Sequence, residues 1–273
     1  MAARVNRAAA RRDPFEPRPW VRAGWIALGA YILYAASRLD IGWPRFVAGL
    51  EHGARFLSRM LPPRIAQPES LLHALGESLE IALLASCAGI LISLPIGLLA
   101  ARNLMPPWVS WPARVCIALG RAFHPVIAAI LFVNAVGFGA LAGILALALG
   151  SIGFIGKLFA EAIEEISQKQ VEAVRATGAP FASVIAYGVL PQVHARFVGF
   201  AAYQFDSNLR NSTMVGIVGA GGVGATLFAA FQGFDYAYVC AILLCIIALV
   251  MAGEVLAGRA RALLLERGRV DQE

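Results

Sequence analysis

The chain has 273 residues, of which 59% are hydrophobic and 15% charged, and its mean hydropathy is +0.69. A soluble domain of this composition would expose large apolar patches to water, so that class is excluded. The formal net charge is +6, but basic residues do not alternate with aromatic ones and no zinc-ligand spacing occurs, which excludes a nucleic-acid-binding protein. Several apolar runs approach the ~20 residues that cross a bilayer as a helix, and they predict an all-α membrane protein.

The N-terminal residues are basic and contain three prolines, which predicts a cytoplasmic tail over residues 1–20. The first apolar run, Val21–Ser37, is interpreted as a membrane span because it is long for the apolar region of a signal sequence. A cleaved signal sequence is the alternative, since small residues occur near the end of this run.

The stretch between Leu39 and Leu75 mixes charges with apolar residues at helical spacing. This pattern predicts an amphipathic helix that lies on the outer face of the membrane and ends at Pro62-Pro63. A small soluble cap is the alternative.

Five further apolar runs are predicted to span the membrane, which gives six spans in all and places both termini on the same side. They are Ser78–Ala101, Ala113–Val136, Gly139–Ala160, Val193–Val218 and Tyr236–Leu256. Basic residues concentrate in the two tails and in alternate loops, so the positive-inside rule makes those segments cytoplasmic. We interpret the chain as a multi-pass protein of a bacterial inner membrane. Its transmembrane domain covers residues 21–261, and a cytoplasmic C-terminal tail covers 262–273.

The third predicted span contains Arg121, His124 and Pro125. Pro125 is expected to break or kink the helix, which is tolerated where neighbouring helices or water take up the freed backbone groups. Arg121 and His124 are one turn apart on one helical face. They are interpreted as packing or snorkelling near the inner face of the membrane, with a place in a substrate pathway as the alternative.

A polar segment, residues 168–192, separates the fourth and fifth spans. Its first half carries charges at helical spacing. Thr177-Gly178 is typical of a helix C-terminus, where glycine adopts a positive φ at low cost, and Pro180 suits the first turn of a new helix. The segment is therefore predicted to form two short helices joined at a tight corner, and an ordinary solvated loop is the alternative.

Glu172-Ala173, then Gly178, then Leu190-Pro191 resemble the "EAA…G…LP" loop of the permeases of bacterial ABC importers. Val174 and Gly188 depart from that pattern. In the family, the loop fits a groove on a separate ATPase subunit. The resemblance therefore implies that residues 161–192 couple the permease to the ATPase. The implied coupling residues are Glu172, Ala173, Gly178, Leu190 and Pro191.

The fifth predicted span is rich in polar residues and is followed by the sequence GAGGVG. Those letters fit a dinucleotide-binding fingerprint, but no predicted strand precedes them, so they are interpreted as a bendable or close-packed break. The chain lacks the G-x-x-x-x-G-K-[ST] loop that binds ATP, and it contains no hydrolase or metal-ligand motif. We therefore expect no cofactor, no metal and no enzymatic activity in this chain. The glycines interpreted as a gate or hinge are Gly219, Gly221, Gly222 and Gly224.

Tyr203–Gly224, Gly188–Gln192 and Gly150–Glu165 together resemble the permeases of phosphonate-type ABC importers, a likeness that runs from about Arg114 to Arg261. The resemblance implies a type I permease fold, with a five-helix core and an additional N-terminal helix. It also implies a homodimer that works with an ATPase dimer on the cytoplasmic side and a periplasmic binding protein outside. Its implied substrates are phosphonates or related anions such as phosphite and phosphate.

Asp206 and Arg210 stand four residues apart and share a helical face. One interpretation is that Arg210 helps to line a water-filled route for the anion at the dimer axis, with Asp206 orienting it. The other is that the two charges pair and pack the dimer. The predicted pathway residues are Asp206, Asn208, Arg210, Asn211, Ser212 and Thr213. An ion-coupled secondary transporter and a membrane scaffold are the alternative functions, although the internal repeat typical of many secondary transporters is absent here.

The predicted topology is testable with reporters that are active on only one side of the membrane. Fusions after Arg64 and after Arg175 should report opposite sides, because basic residues concentrate in alternate segments of the chain. A fusion within the N-terminal tail serves as the cytoplasmic control. Activity on the same side for both fusions would contradict the six-span topology.

Overall fold

Helices make up nearly all of the chain that the structure describes. The computed structural model describes residues 19–39 and 42–270, with side chains described as far as Arg259, and no strand occurs in these ranges. The chain divides into two units, residues 1–58 and residues 59–273. The predicted N-terminal tail lies outside the described residues except for its last two positions, which begin the first helix.

The first unit contains α1 (Pro19–Arg38) and the start of α2 (Trp43–Met60). α1 is a helix over the first predicted span, but it is not among the helices that are long and apolar enough to cross a membrane, so that span stays a prediction. The exposed side chains of Phe46, Leu50 and Leu57 lie along one side of α2, since residues at these spacings share a helical face. This confirms a strongly amphipathic helix that ends just before the two prolines. Its place on the outer face of the membrane stays a prediction.

The second unit is built around α6, which packs against α3, α4, α5 and α9. A cluster of buried apolar residues that includes Ile81, Leu147 and Val215 joins α3, α6 and α9. The helices of this unit are α3 (Pro68–Ala100), α4 (Pro107–Ala122), α5 (Pro125–Val136), α6 (Ala140–Glu164), α7 (Gln168–Ala176), α8 (Phe181–Ser183), α9 (Leu190–Ile217), α10 (Val223–Gln232) and α11 (Tyr236–Val270), with a π-helical turn at Val184–Val189 between α8 and α9.

Within the described ranges, α3, α6 and α11 are long and apolar enough to cross a membrane, and the bent pair α4–α5 raises the number to four. The predicted fifth span, α9, has 28 residues but is rich in polar side chains. At ~1.5 Å per residue it is about 42 Å long, which exceeds the ~30 Å hydrocarbon core. It packs against α3, α6 and α11, so its polar groups have neighbouring helices as partners.

The third predicted span, Ala113–Val136, is not one helix. α4 and α5 meet at an angle of 91°, because proline lacks a backbone N–H and pushes the preceding residue into an extended conformation. His124, with φ −66° and ψ 141°, caps the start of α5, and its Nδ1 accepts a hydrogen bond from the Val126 amide at 3.4 Å. The prediction that Pro125 breaks the helix is confirmed. The prediction that Arg121 and His124 share one helical face is wrong, because they lie on opposite sides of the bend.

Four buried polar side chains connect the three central helices. The hydroxyl of Ser151 on α6 donates to the carbonyl of Leu147 at 2.7 Å and accepts from Gln204 Nε2 at 2.8 Å and Asn208 Nδ2 at 3.0 Å, both on α9. Asn208 Nδ2 also donates to the Ser86 hydroxyl on α3 at 2.9 Å. Since unsatisfied polar groups are costly in a membrane, this network fixes how α9 sits against α3 and α6.

Two features differ from the sequence prediction. A short helix, α10, was not predicted; it begins at Val223, within the GAGGVG sequence, and packs against α9 and α11. The last helix, α11, continues to Val270 and therefore includes most of the segment predicted as a C-terminal tail from residue 262.

Close packing of α4 on α6 generates a stability prediction. A Cβ atom added to Gly153 would lie 2.6 Å from the Arg121 backbone nitrogen, whereas one added to Gly76, within α3, would have no neighbour within 4 Å. Gly153→Ala should therefore lower the melting temperature of the purified protein, since overpacking costs about 1–3 kcal/mol. The matched control Gly76→Ala should leave the melting temperature unchanged or raise it slightly, because alanine favours the helix. Equal melting temperatures for the two variants would contradict this packing.

Candidate functional site

The 168–192 segment forms the predicted tight corner. α7 ends at Ala176, Thr177 caps it, and Gly178 has φ +75°. Pro180 precedes α8, so the two helices are joined by four residues that include one glycine and one proline. The positive φ at Gly178 is confirmed. Because nothing lies within 4 Å of a Cβ added there, the requirement for glycine is purely conformational.

Buried valines attach this segment to the helix bundle. Val171 of α7, Val184 and Val189 of the π-helical turn, and Val193 of α9 pack against Ile163 near the end of α6. Gly188 departs from the loop pattern of ABC importer permeases, and the structure gives a reason. A Cβ atom at this position would lie 3.3 Å from the backbone of Val171. A glycine at this position therefore allows the turn to approach α7 closely.

Hydrogen bonds close the base of the segment. Gln192 Oε1 accepts from the amide of Ser167 at 2.9 Å, and its Nε2 donates to the carbonyl of Gly188 at 2.6 Å. An ion pair between Arg196 and Glu165, at 2.5 Å, joins the first turns of α9 to the end of α6. These bonds hold both ends of the 168–192 segment, so its corner has a defined shape.

The opposite face of the segment is exposed. It includes two large aromatic side chains, Tyr187 at 75% and Phe181 at 48% exposure, which the sequence reasoning missed. The helical periodicity after Pro180 is the signal that could have identified them. All five predicted coupling residues lie on exposed positions of this segment: Glu172, Ala173, Gly178, Leu190 and Pro191.

At the same end of the bundle, Glu164 joins three elements. Its Oε1 accepts from the Arg114 guanidinium of α4 at 2.5 Å and from the Arg102 amide, just after α3, at 2.7 Å. Arg114 Nε also donates to the Ala100 carbonyl at 3.0 Å. The carboxylate at the end of α6 therefore holds the loop between α3 and α4 as well as α4 itself.

A cavity of about 250 Å³ opens between α6, α9 and the α4–α5 bend. Polar side chains come from α9, a cation comes from the end of α4, and α6 contributes Gly150 and aromatic surface. The lining residues are Gly120, Arg121, Phe123, Pro125, Leu147, Gly150, Phe154, Tyr203, Gln204, Ser207, Asn208 and Asn211.

The predicted pathway residues divide into two groups. Asn208 and Asn211 line the cavity. Asp206 and Arg210 lie on another side of α9 and form an ion pair at 2.7 Å, in which the Asp206 side chain is 14% exposed and the Arg210 side chain 47%. The remaining two residues do not line the cavity: Ser212 is buried with its hydroxyl bonded to a backbone carbonyl, and Thr213 lies where α9 meets Gly224.

Arg121 lies in the cavity wall at mid-height of the bundle, and its side chain is exposed. The residue before it, Gly120, contacts Gly153 backbone to backbone, and Gly153 is close to the middle of α6. Residues 19–39 and 42–259, whose side chains are described, provide no ion-pair partner for Arg121. The position of Arg121 depends on the contact between α4 and α6, and no sequence pattern near Arg121 indicates that contact.

The GAGGVG sequence makes the tight break between α9 and α10. Gly219, Gly221 and Gly222 have φ values of +90°, +80° and +76°, and Gly224 packs so closely on α9 that a side chain there would overlap the Thr213 carbonyl. The amide of Val223 donates to the hydroxyl of Ser78 at 2.8 Å, which fixes this break against α3. A close-packed break is confirmed, and its use as a gate or hinge stays a prediction.

Comparisons with known proteins identify the family. The model of the family described as "Binding-protein-dependent transport system inner membrane component" matches residues 93–268. The chain belongs to this family. It is therefore a multi-pass membrane protein of the permease type and not an enzyme, and the secondary-transporter and scaffold alternatives are set aside.

Individual relatives support the same conclusion. The chain is 43% identical over 210 residues to the phosphate-import permease protein PhnE of Mycolicibacterium smegmatis, covering 76% of this chain but 40% of that protein. It is 40% identical over 214 residues to the phosphite transport system permease protein PtxC of Stutzerimonas stutzeri, covering 78% of each. The chain thus spans less than half of the first relative and about four-fifths of the second.

The fold also has a solved counterpart. A chain of the inward-facing MetNI methionine ABC transporter superimposes with a TM-score of 0.64 at 23% identity, covering 72% of this chain and 98% of that one. At this identity the likeness concerns the fold alone. The chain has the type I ABC importer permease fold that the sequence resemblance implied.

Proposed function

We propose that this chain is the transmembrane subunit of an ATP-driven importer for phosphonate or a related phosphorus oxyanion. In this role it passes the substrate from a periplasmic binding protein to the cytoplasm. The observation that carries the proposal is the exposed 168–192 segment, anchored to the bundle by buried valines, in a chain that lacks an ATP-binding loop. The names of the phosphate and phosphite permeases among its relatives support the substrate class.

The proposed partner at the 168–192 segment is a separate ATPase dimer. Tyr187, Phe181 and Leu190 present apolar surface there beside the charged Glu172 and Arg175, a combination typical of a protein-binding patch with a polar rim. Docking of the ATPase would make this end of the bundle cytoplasmic. Under the proposed topology both termini then also lie in the cytoplasm.

The proposed assembly contains a second copy of the chain, with the substrate route bordered by the polar side of α9. Asn208 and Asn211 are its proposed contacts within the protomer. The pairing of Arg210 with Asp206 and its place away from the cavity support the interpretation in which these two charges pack the dimer. The glycines around Gly222 would allow α10 to move relative to α9.

The function is tested by reconstituting the chain in proteoliposomes with its proposed ATPase and binding-protein partners. Calorimetry on the binding protein identifies its ligand. ATP-dependent uptake of phosphate, phosphite or methylphosphonate is the expected result. Uptake of an amino acid or a sugar, with none of these anions, would contradict the proposed substrate class.

The corner of the 168–192 segment provides a mutational test of coupling. Gly178→Val should uncouple ATP hydrolysis from uptake without unfolding the bundle, because a β-branched residue resists the observed positive φ. Gly178→Asn is the matched control, since asparagine tolerates this conformation and no neighbouring atom opposes its side chain. Uptake and substrate-stimulated ATPase activity are measured together in both variants. Normal coupling in Gly178→Val would show that the corner does not transmit the signal.

A further inference from the structure

The cavity at the α4–α5 bend carries an unneutralised positive charge. Among the described residues that line it, Arg121 is the only charged one. No ion pair of Arg121 occurs within the described side chains, whereas Arg114, Arg196 and Arg210 each pair with a carboxylate. A charge at mid-height of a membrane protein is costly and most often marks a functional site. The cavity is thus electrostatically suited to an anion.

The backbone around Arg121 is held firmly. Gly120 and Gly153 approach so closely that α4 cannot rotate without clashing with α6. Immediately after Arg121 the chain turns by 91° into α5. The guanidinium therefore extends from a fixed point. A fixed donor loses less entropy on binding a ligand than a mobile surface arginine does.

The opposite wall supplies neutral hydrogen-bonding groups. Asn211 Nδ2 has a single long hydrogen bond to the hydroxyl of Ser207, 3.4 Å away, and therefore retains donor capacity. Tyr203 adds a hydroxyl group, and its ring packs near Phe154 with centroids 5.7 Å apart. A phosphate-sized anion would find hydrogen-bond donors on two sides and no carboxylate that would repel it.

The orientation of Gln204 adds a second kind of selectivity. Its Nε2 hydrogens are both used, in bonds to Ser151 Oγ at 2.8 Å and Asn208 Oδ1 at 2.9 Å. Because the Ser151 hydroxyl already donates to a carbonyl, it must accept here, and the amide orientation is determined. The Oε1 of Gln204 accepts no hydrogen bond from the described residues, and Gln204 is one of the residues that line the cavity. It is an acceptor to which a ligand with a hydroxyl group can donate.

We propose that this cavity is a transmembrane binding site for a protonated oxyanion, in which Arg121 contacts the anionic oxygens and Gln204 accepts a hydrogen bond from the acidic hydroxyl group. The inference rests on the proposed import function and adds a site and a selection rule to it. A phosphonate monoanion carries both a negative charge and a P–OH group. A sulfonate or sulfate carries the charge without the hydroxyl, so Gln204 Oε1 would face a second oxygen lone pair and oppose binding.

Uptake by the reconstituted importer tests the role of Arg121, with methylphosphonate and phosphate as probes. Arg121→Gln should lower the maximal uptake roughly tenfold or more, because a charge-assisted hydrogen bond is lost. The half-saturating concentration should change little, since the binding protein sets it. Arg121→Lys keeps the charge and should restore part of the uptake. The control Lys157→Gln removes a cation of α6 that lies outside the cavity lining, in an exposed pair with Glu161, and should transport normally.

A second variant tests the cavity itself. A Cβ atom added to Gly150 would have Pro125 Cγ, 3.9 Å away, as its nearest neighbour, so Gly150→Leu should fill the cavity without displacing a helix. It should abolish uptake, while Gly150→Ala should retain most of it. Co-purification with the ATPase shows that each variant is folded and assembled. Normal uptake by an assembled Gly150→Leu complex would overturn the proposal.

Calorimetry on the permease–ATPase complex, without the binding protein, tests the selection rule. The complex should bind methylphosphonate more tightly than methanesulfonate, which has a similar shape and no hydroxyl group, and Arg121→Gln should abolish the binding. Equal affinity for the two anions would overturn the role of Gln204. If the wild-type importer transports methylphosphonate or phosphate and the Arg121→Gln variant is equally active, the proposed site is overturned. The proposed function then stands. Failure of the wild type to transport either anion would overturn the function.

Discussion

The close approach of α6 to its neighbours is the constraint on which the rest of the bundle depends. At Gly89 on α3 the facing helix α6 leaves no room even for a methyl group, and at Gly120 on α4 a methyl group would lie 3.1 Å from the backbone of Gly153. In lipid, where apolar surface alone does not bring helices together, such contacts provide the van der Waals attraction that does. α6 also lies close enough to α9 for the hydroxyl of Ser151 to accept hydrogen bonds from two buried side-chain amides of α9, those of Gln204 and Asn208.

Close packing and polar bonding then act together to produce an internal space. The network through Ser151 fixes Gln204 and Asn208 on one wall, while the contact between Gly120 and Gly153 fixes the α4–α5 bend on another. Gly150 lies between these two contacts and has no side chain to fill the gap. The cavity is therefore a consequence of where small residues and serines are placed along one helix.

Much of this architecture could be predicted from the sequence, because it follows from the backbone conformations that individual residues allow. The positive φ of Gly178 and the break at Pro125 follow from the conformational limits of glycine and proline, and the structure has both. The position of Arg121 could not be predicted in the same way, because it depends on contact with a glycine 32 residues further along the chain, Gly153. α10 was missed because it is shorter than a span and follows directly after the glycine-rich break. Sequence patterns thus indicate where a helix ends, but not which distant helix it meets.

The carboxylate of Glu164 has a mechanical consequence. It holds Arg114 at one point of α4, and Arg121 lies about two turns further along the same rigid helix. α4 is therefore joined to α6 at two places, through Glu164 at the end of α6 and through Gly153 at its middle. The guanidinium in the cavity therefore extends from a point that is fixed relative to the end of α6, to which the 168–192 segment is attached.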